Sequence, residues 1–249
     1  MTERASDWRK ALMQRYYTGR NGWLDGTTRF HRLLAQHLPA GVRILELGAG
    51  PPNPTTAFLA SIGPVTGVDV DPEVHTNTSC TRTLIYDGEH IPLEDETFDA
   101  AVCNYVCEHI QKPIVLCREI RRVLREGGVF ALRTPNLWHY VSVASRFTPH
   151  RLHRLVANRA RGLPAGSHEP WPTFYRMNTR RACRKILEQA GFAVLYNHCI
   201  EPEPSYAMAA RAVFYPAMLW ERLLNSTFLL EDLRANILCV AAAVAADQT

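Results

Sequence analysis

RILELGAGPPNPTTAFLA, Arg43 to Ala60, reads as a strand, a tight turn and a helix in immediate succession. The apolar run Arg43–Leu47 predicts a β-strand. Gly48 and Gly50 let the backbone turn sharply and keep side chains out of the space above it. Asn53 has the character of a helix N-cap, and Pro54 suits the first helical position, where an N–H would have no partner. A turn between a strand end and a helix start brings backbone N–H groups up to a ligand. A dinucleotide fingerprint would need a third glycine where Asn53 stands, which argues against a pyrophosphate.

Strand and helix signals alternate on both sides of this stretch. Two amphipathic segments, Ala5–Tyr17 and Thr27–Leu38, precede it. Strands are predicted at Val65–Val70, Thr83–Tyr86, Ala100–Asn104 and Val129–Arg133, with a helix at Pro113–Leu124. After Asn136 the pattern breaks until about Asn178, in a segment rich in Pro, His, Arg and aromatic residues. It resumes with a helix Arg180–Ala190, a strand Ala193–Cys199, a helical region Tyr206–Asn225 and a strand Ile237–Ala245. The alternation predicts an α/β fold: a doubly wound, mostly parallel, seven-stranded sheet with helices on both faces. The chain of 249 residues is expected to form a single domain. Its helices within 1–40 and the 136–178 insertion are expected to cap the carboxyl edge of the sheet, where such folds bind ligands.

Composition excludes several classes. Hydrophobic residues make up 47% of the chain, enough for a buried core, and a formal charge of +4 is too mild to mark a nucleic-acid binder. The opening MTERASDWRK has no apolar signal-peptide core, and no apolar run is long enough to span a bilayer. The seven cysteines contain no CxxC pair and are expected to be reduced and buried, as in a cytoplasmic enzyme.

Beyond the glycine turn, Asp69 ends "VTGVD" about twenty residues on, where a carboxylate accepts ribose hydroxyls. Asp87, in "YDGEHIPLEDETFD", ends the next strand, where it suits an adenine amino group. Together ELGAG, GVDVD, YDGEHIPLEDETFDAAVCNYVCEHI and EIRRVLREGGVFALRTPN resemble class I S-adenosylmethionine (SAM) dependent methyltransferases of the type 11-like group, over about Arg43 to Pro135. The resemblance implies SAM as cofactor. It implies that Gly48 and Gly50 pass under the methionine part, that Glu46 orients that end, and that Asn104 lies beside it. The candidate cofactor-binding set is Glu46, Gly48, Ala49, Gly50, Asn53, Asp69, Val70, Asp87, Gly88, Asn104 and Tyr17. Pro51-Pro52 departs from the family, which often has another glycine there.

A sulfonium makes its carbons electrophilic, so positioning a nucleophile is the main task. In related enzymes a Glu-His pair like Glu108-His109 helps to hold a divalent metal, with a Glu three residues earlier. Tyr105 stands at that place, so no metal is expected and His109 is read as lining the substrate cavity. Arg146, Arg151, Arg154, Arg159 and Arg161 read either as an anionic-carrier or RNA patch or as the solvated face of an amphipathic helix, and the helix reading is preferred. Trp138, Tyr140, Trp171, Phe174 and Tyr175 fall where a cap would meet the sulfonium, and a ring such as Tyr175 is suited to cation–π attraction.

Two activities follow. The first is methyl transfer to an oxygen or nitrogen of a small metabolite. In the second, Asn136, Phe174-Tyr175, Tyr16-Tyr17 and Ser205 also resemble azetidine-2-carboxylate synthases, which share the fold but cyclise SAM and release methylthioadenosine. The candidate catalytic residues across both are Asn136, Tyr175, Ser205 and His109. Methyl transfer is the favoured expectation, and a SAM-binding module or an RNA methyltransferase is the remaining alternative. Neither nucleic acid nor a membrane is an expected partner, and the sequence is silent on oligomeric state.

Overall fold

The sequence pattern becomes one seven-stranded sheet in a computed structural model that describes residues 3–20, 22–147, 171–204 and 211–245. The strands are β1 (Ile44–Leu47), β2 (Val65–Asp69), β3 (Arg82–Ile85), β4 (Phe98–Asn104), β5 (Leu124–Pro135), β6 (Phe192–Ile200) and β7 (Asn236–Ala243). Their order is β3-β2-β1-β4-β5-β7-β6. All neighbours are parallel except β7, which runs antiparallel to both β5 and β6. The order reverses between β1 and β4, so the crevice at the carboxyl ends of those two strands is the natural ligand site.

Seven helices are needed to follow the argument: α1 (Glu3–Tyr16), α2 (Gly26–His37), α3 (Pro54–Ile62), α4 (Pro113–Val123), α5 (Tyr140–Phe147), α6 (Arg180–Gln189) and α7 (Arg211–Ser226). The two-residue period of the strands sends alternate side chains to opposite faces. Leu45, Leu47, Ala101 and Cys103 join one core with Leu116, Ile120 and Leu187 of α4 and α6. Ile44, Ala100 and Val102 join the other with Phe30, Leu34 and Leu59 of α2 and α3. Both faces are covered, which is why β1 and β4 read as almost unbroken apolar runs.

A third, smaller cluster joins the two ends of the chain: Leu12 and Tyr17 pack on Phe214 and Met218 of α7. The Tyr17 hydroxyl donates to the Glu221 carboxylate at 2.9 Å, and Asn225 Nδ2 donates both to Glu221 and to the Glu201 carbonyl beyond β6. The N-terminal helix is therefore anchored by α7. Of the expected cap, residues 171–178 lie against the loop after β4, through the Phe174 and Tyr175 N–H groups that donate to the Glu108 carbonyl. Residues 148–170, with Arg151, Arg154, Arg159 and Arg161, lie outside the described residues. So does the Arg146 side chain.

Candidate active site

Gly48 leaves β1 with φ +67, and a Cβ there would sit 2.2 Å from Val106 Cγ2. No other residue type fits that turn without moving the loop after β4. Gly50 also has positive φ, +51, but a Cβ would meet nothing within 4 Å. Its side-chain position opens into space. Asn53 caps α3 as expected, accepting from the N–H groups of Thr55 and Thr56, while its Nδ2 donates to the Ala49 carbonyl.

Asn77 was not singled out from the sequence. It is buried, and its Nδ2 donates to the carbonyls of Ala49 and Gly50 and to the Thr56 hydroxyl at 3.1–3.2 Å. An asparagine in the loop after β2 carries no local signal of such a role. Asp69 ties the turn to β2: one carboxylate oxygen accepts from Gly50 N–H and the other from Asp71 N–H, both at 2.9 Å. Each oxygen keeps a second lone pair, so the carboxylate still accepts bonds from a ligand.

A cleft of about 220 Å3 lies at the switch point, lined by Thr27, Glu46, Gly48, Asn53, Pro54, Thr55, Asn104 and Arg133. Glu46 is 2% exposed, and its Oε2 has no hydrogen-bond partner among the described residues. Burial, opposed by the Thr56 hydroxyl and reinforced by Asp69, pushes its carboxyl up to about 7. Asn104 ends β4 with its Nδ2 donating to Thr55 and its Oδ1 accepting from Arg133 Nε at 2.8 Å. Arg133, on β5, is the second residue that the motifs missed. Its guanidinium is buried above the Phe30 ring and beside the Tyr105 ring, and burial lowers its pKa from the usual value.

Val70 and Gly88 approach each other beyond β2 and β3, a Cβ on Gly88 standing 3.5 Å from Val70 Cγ1. Asp87 is fully exposed there, its Oδ1 accepting from the Glu89 and His90 N–H groups. The cofactor candidates thus gather along one edge, from Glu46 through Asp69 to Asp87. Tyr17 does not join the cleft lining: its hydroxyl is committed to Glu221 in the α1–α7 cluster.

The catalytic candidates divide. The Asn136 side chain is turned largely to backbone. Its Nδ2 donates to the carbonyls of Asp232 and Arg234 at 2.6 and 2.8 Å, and its Oδ1 accepts from Trp138 N–H. Every polar atom of that side chain holds backbone, so Asn136 braces the β5 end against the segment entering β7. Tyr175 has φ +51, a left-handed conformation that costs a non-glycine residue about 1–3 kcal/mol and collects at functional sites. His109 Nδ1 lies 2.9 Å from the Pro172 carbonyl. A carbonyl only accepts, so Nδ1 carries the hydrogen and Nε2 presents a lone pair. Ser205 lies outside the described residues. Tyr105, at the position where a metal-binding relative would have Glu, donates its hydroxyl to Asn236 at 3.0 Å. Among the described residues no three His, Cys, Asp or Glu side chains gather as a metal site.

Residues 45–132, from β1 through β5, match the family model of the methyltransferase domain. Over that segment the chain is similar to the methyltransferase domain family. An uncharacterized protein of Methanocaldococcus jannaschii is 29% identical over 123 residues, 47% of this chain and 58% of that one. An uncharacterized methyltransferase of Mycolicibacterium vanbaalenii is 33% identical over 99 residues, 37% of this chain and 39% of that one. The matches thus span about two fifths to three fifths of these relatives' lengths. Among solved structures, the [4+2]-cyclase SpnF superposes with a TM-score of 0.58 at 20% identity, covering 92% of this chain and 86% of that one. YcgJ of Bacillus subtilis gives 0.53 at 16%, covering 88% and 99%. Both likenesses concern the methyltransferase fold, and they extend across β6 and β7, beyond the segment the family model covers.

Proposed function

We propose that the protein is a SAM-dependent methyltransferase acting on an oxygen or nitrogen of a small metabolite. The observation that carries this is the orphaned Glu46 oxygen in the switch-point cleft, beside a glycine turn with open space above Gly50. A buried carboxylate oxygen without a partner needs one from a ligand, and the amino group at the methionine end of SAM supplies it. The Asp69 carboxylate has lone pairs left for the ribose hydroxyls, and the exposed apolar Val70 with Gly88 and Asp87 suits the adenine.

SAM supplies a methyl group on a positively charged sulfur, so the protein's work is alignment and proton removal. Tyr175 and Phe174 are held by their N–H groups on the Glu108 carbonyl, where the acceptor would approach. His109 Nε2, 3.8 Å from a Glu108 carboxylate oxygen, takes the proton from the acceptor oxygen or nitrogen. The free cysteines, six of them buried, support a reducing, cytoplasmic setting. No helix among the described residues is long and apolar enough to cross a membrane.

Cyclisation of SAM itself to azetidine-2-carboxylate is the competing reading. Asn136, which it needs as an amine-steering group, gives its Nδ2 to the backbone carbonyls of Asp232 and Arg234, which favours methyl transfer. The test is to incubate the protein with SAM alone and with a metabolite extract, and to identify products by mass. The expected result is intact SAM alone and S-adenosylhomocysteine with the extract, insensitive to EDTA and lowered about 10²–10⁴-fold by His109→Ala. Methylthioadenosine formed from SAM alone, faster than spontaneous decay, would overturn methyl transfer in favour of cyclisation.

A further inference from the structure

Helix α7 is apolar on two opposite faces, and only one of them is covered. Phe214, Met218, Glu221 and Leu224 are buried on the inner face, where Phe214 and Met218 pack on Leu12 and Tyr17. The 3.6-residue turn places Ala212, Pro216, Leu219 and Leu223 together on the opposite side. All four are exposed, Leu219 at 64%. None of the three charged residues of α7 stands on that stripe. Glu221 is buried and bonded to Tyr17, Arg211 lies over the Trp8 ring of α1, and Arg222 reaches the Met218 sulfur.

The exposed apolar surface continues past the helix end. Trp220 flanks the stripe, and the 3-10 turn Phe228–Leu233 exposes Phe228 at 78% and Leu229 at 76%. Together Leu219, Trp220, Leu223, Phe228 and Leu229 present on the order of 700 Å2, near the roughly 800 Å2 that each partner contributes to a stable protein pair. Patches of this size mark an interaction surface. A helix that is apolar all round belongs between two layers, and the described residues supply one of them.

The chemistry of the stripe selects the second layer. A helix that lies on a lipid surface sets a strongly charged, Lys/Arg-rich face against its apolar one. The face of α7 opposite the stripe is apolar and already buried, and the helix has no lysine. A different protein partner is distinguished by complementary charge at the contact, which the stripe does not offer. A two-fold pair of identical chains needs a patch that complements itself. An uncharged stripe whose members recur at spacings of three and four residues does so by packing ridges into grooves.

We propose that this face docks a second copy of the chain, α7 against the partner's α7 across a two-fold axis. The proposal is independent of the SAM reading, since none of these residues lines the cleft.

The experiment is sedimentation velocity with light scattering on the full chain over a dilution series. The unaltered protein should show twice the chain mass at about 50 μM and dissociate on dilution, as a self-associating pair does. Leu219→Glu puts a charge on the seam of both copies and should weaken association at least about a hundredfold. Phe228→Ser, in the separate 3-10 turn, should weaken it about tenfold or more. Both sites are exposed in the single chain, so circular dichroism of both variants should match that of the unaltered protein. A monomer at about 100 μM would overturn the proposal. So would a dimer that neither substitution weakens, because it would form through another face. A monomer that co-sediments with phosphatidylcholine–phosphatidylglycerol vesicles, and loses them on Leu219→Glu, would assign the face to a lipid surface instead.

Discussion

The two walls of the cleft are built by different means. On the β1–β2 side the backbone is shaped by its own neighbours: Asn53 bonds residues two and three places on, and Asp69 bonds Asp71. On the β5–β6 side every bond that matters joins distant segments. Arg133 reaches Thr27, Asn136 holds the carbonyls of Asp232 and Arg234, and Tyr17 bonds Glu221. The first wall starts from local caps and turns, and is then tied together by Asp69 to Gly50 and by Asn77 to Ala49 and Gly50. The second exists only once the whole chain has folded.

The sharpest way to break this comparison is at the two glycines. Gly48→Ala incurs both the left-handed conformation and the overlap with Val106, and should cost about 2–5 kcal/mol of stability. Gly50→Ala incurs the conformational part alone, about 1–2 kcal/mol, while placing a methyl group in the open space above the turn. Chemical denaturation should separate the pair. Calorimetry should find the folded Gly50→Ala protein impaired in nucleoside binding. Equal stabilities would remove the distinction drawn between the two positions.

Asn136→Ala tests the distant wall. Loss of the bonds to Asp232 and Arg234 should cost about 1–3 kcal/mol and leave S-adenosylhomocysteine affinity nearly unchanged in the folded fraction. Full stability with abolished turnover would restore Asn136 to the catalytic role that its sequence position suggested.

That difference between walls also decides what was legible in the sequence. The strand order's parallel half, the Asn53 cap, the Gly48 turn and the Asp69 position follow from short-range rules, and the elements from β1 to β5 lie close to where the periodicity places them. β5 is longer than the apolar run Val129–Arg133 because β4 pairs with it at Leu124 and the antiparallel β7 pairs with it as far as Pro135. Asn77 and Arg133 were missed because a loop asparagine and a strand arginine acquire their roles only from partners that tertiary folding supplies. Asn136 shows the same limit: its bracing bonds to the carbonyls of Asp232 and Arg234 come from tertiary folding and leave no local trace in the sequence.

A smaller effect sharpens the local wall. Glu46 has its carboxyl raised to about 7 by burial, so below that value it is protonated and offers an ammonium no negative charge. Affinity for S-adenosylhomocysteine should therefore rise from pH 6 to about 7.5, by up to about tenfold per unit below 7. Glu46→Gln should flatten the profile. An unchanged profile in that variant would show that another group carries the pH dependence.

The account stands most directly on one measurement, the binding of S-adenosylhomocysteine and of NAD to the unaltered protein by calorimetry, with Asp69→Ala alongside. The predicted result is one site for S-adenosylhomocysteine, no comparable binding of NAD, and an affinity weakened about ten- to hundredfold in the variant, which loses charge-assisted acceptors for the ribose. Binding of NAD in preference to S-adenosylhomocysteine, or an affinity indifferent to Asp69, would contradict it.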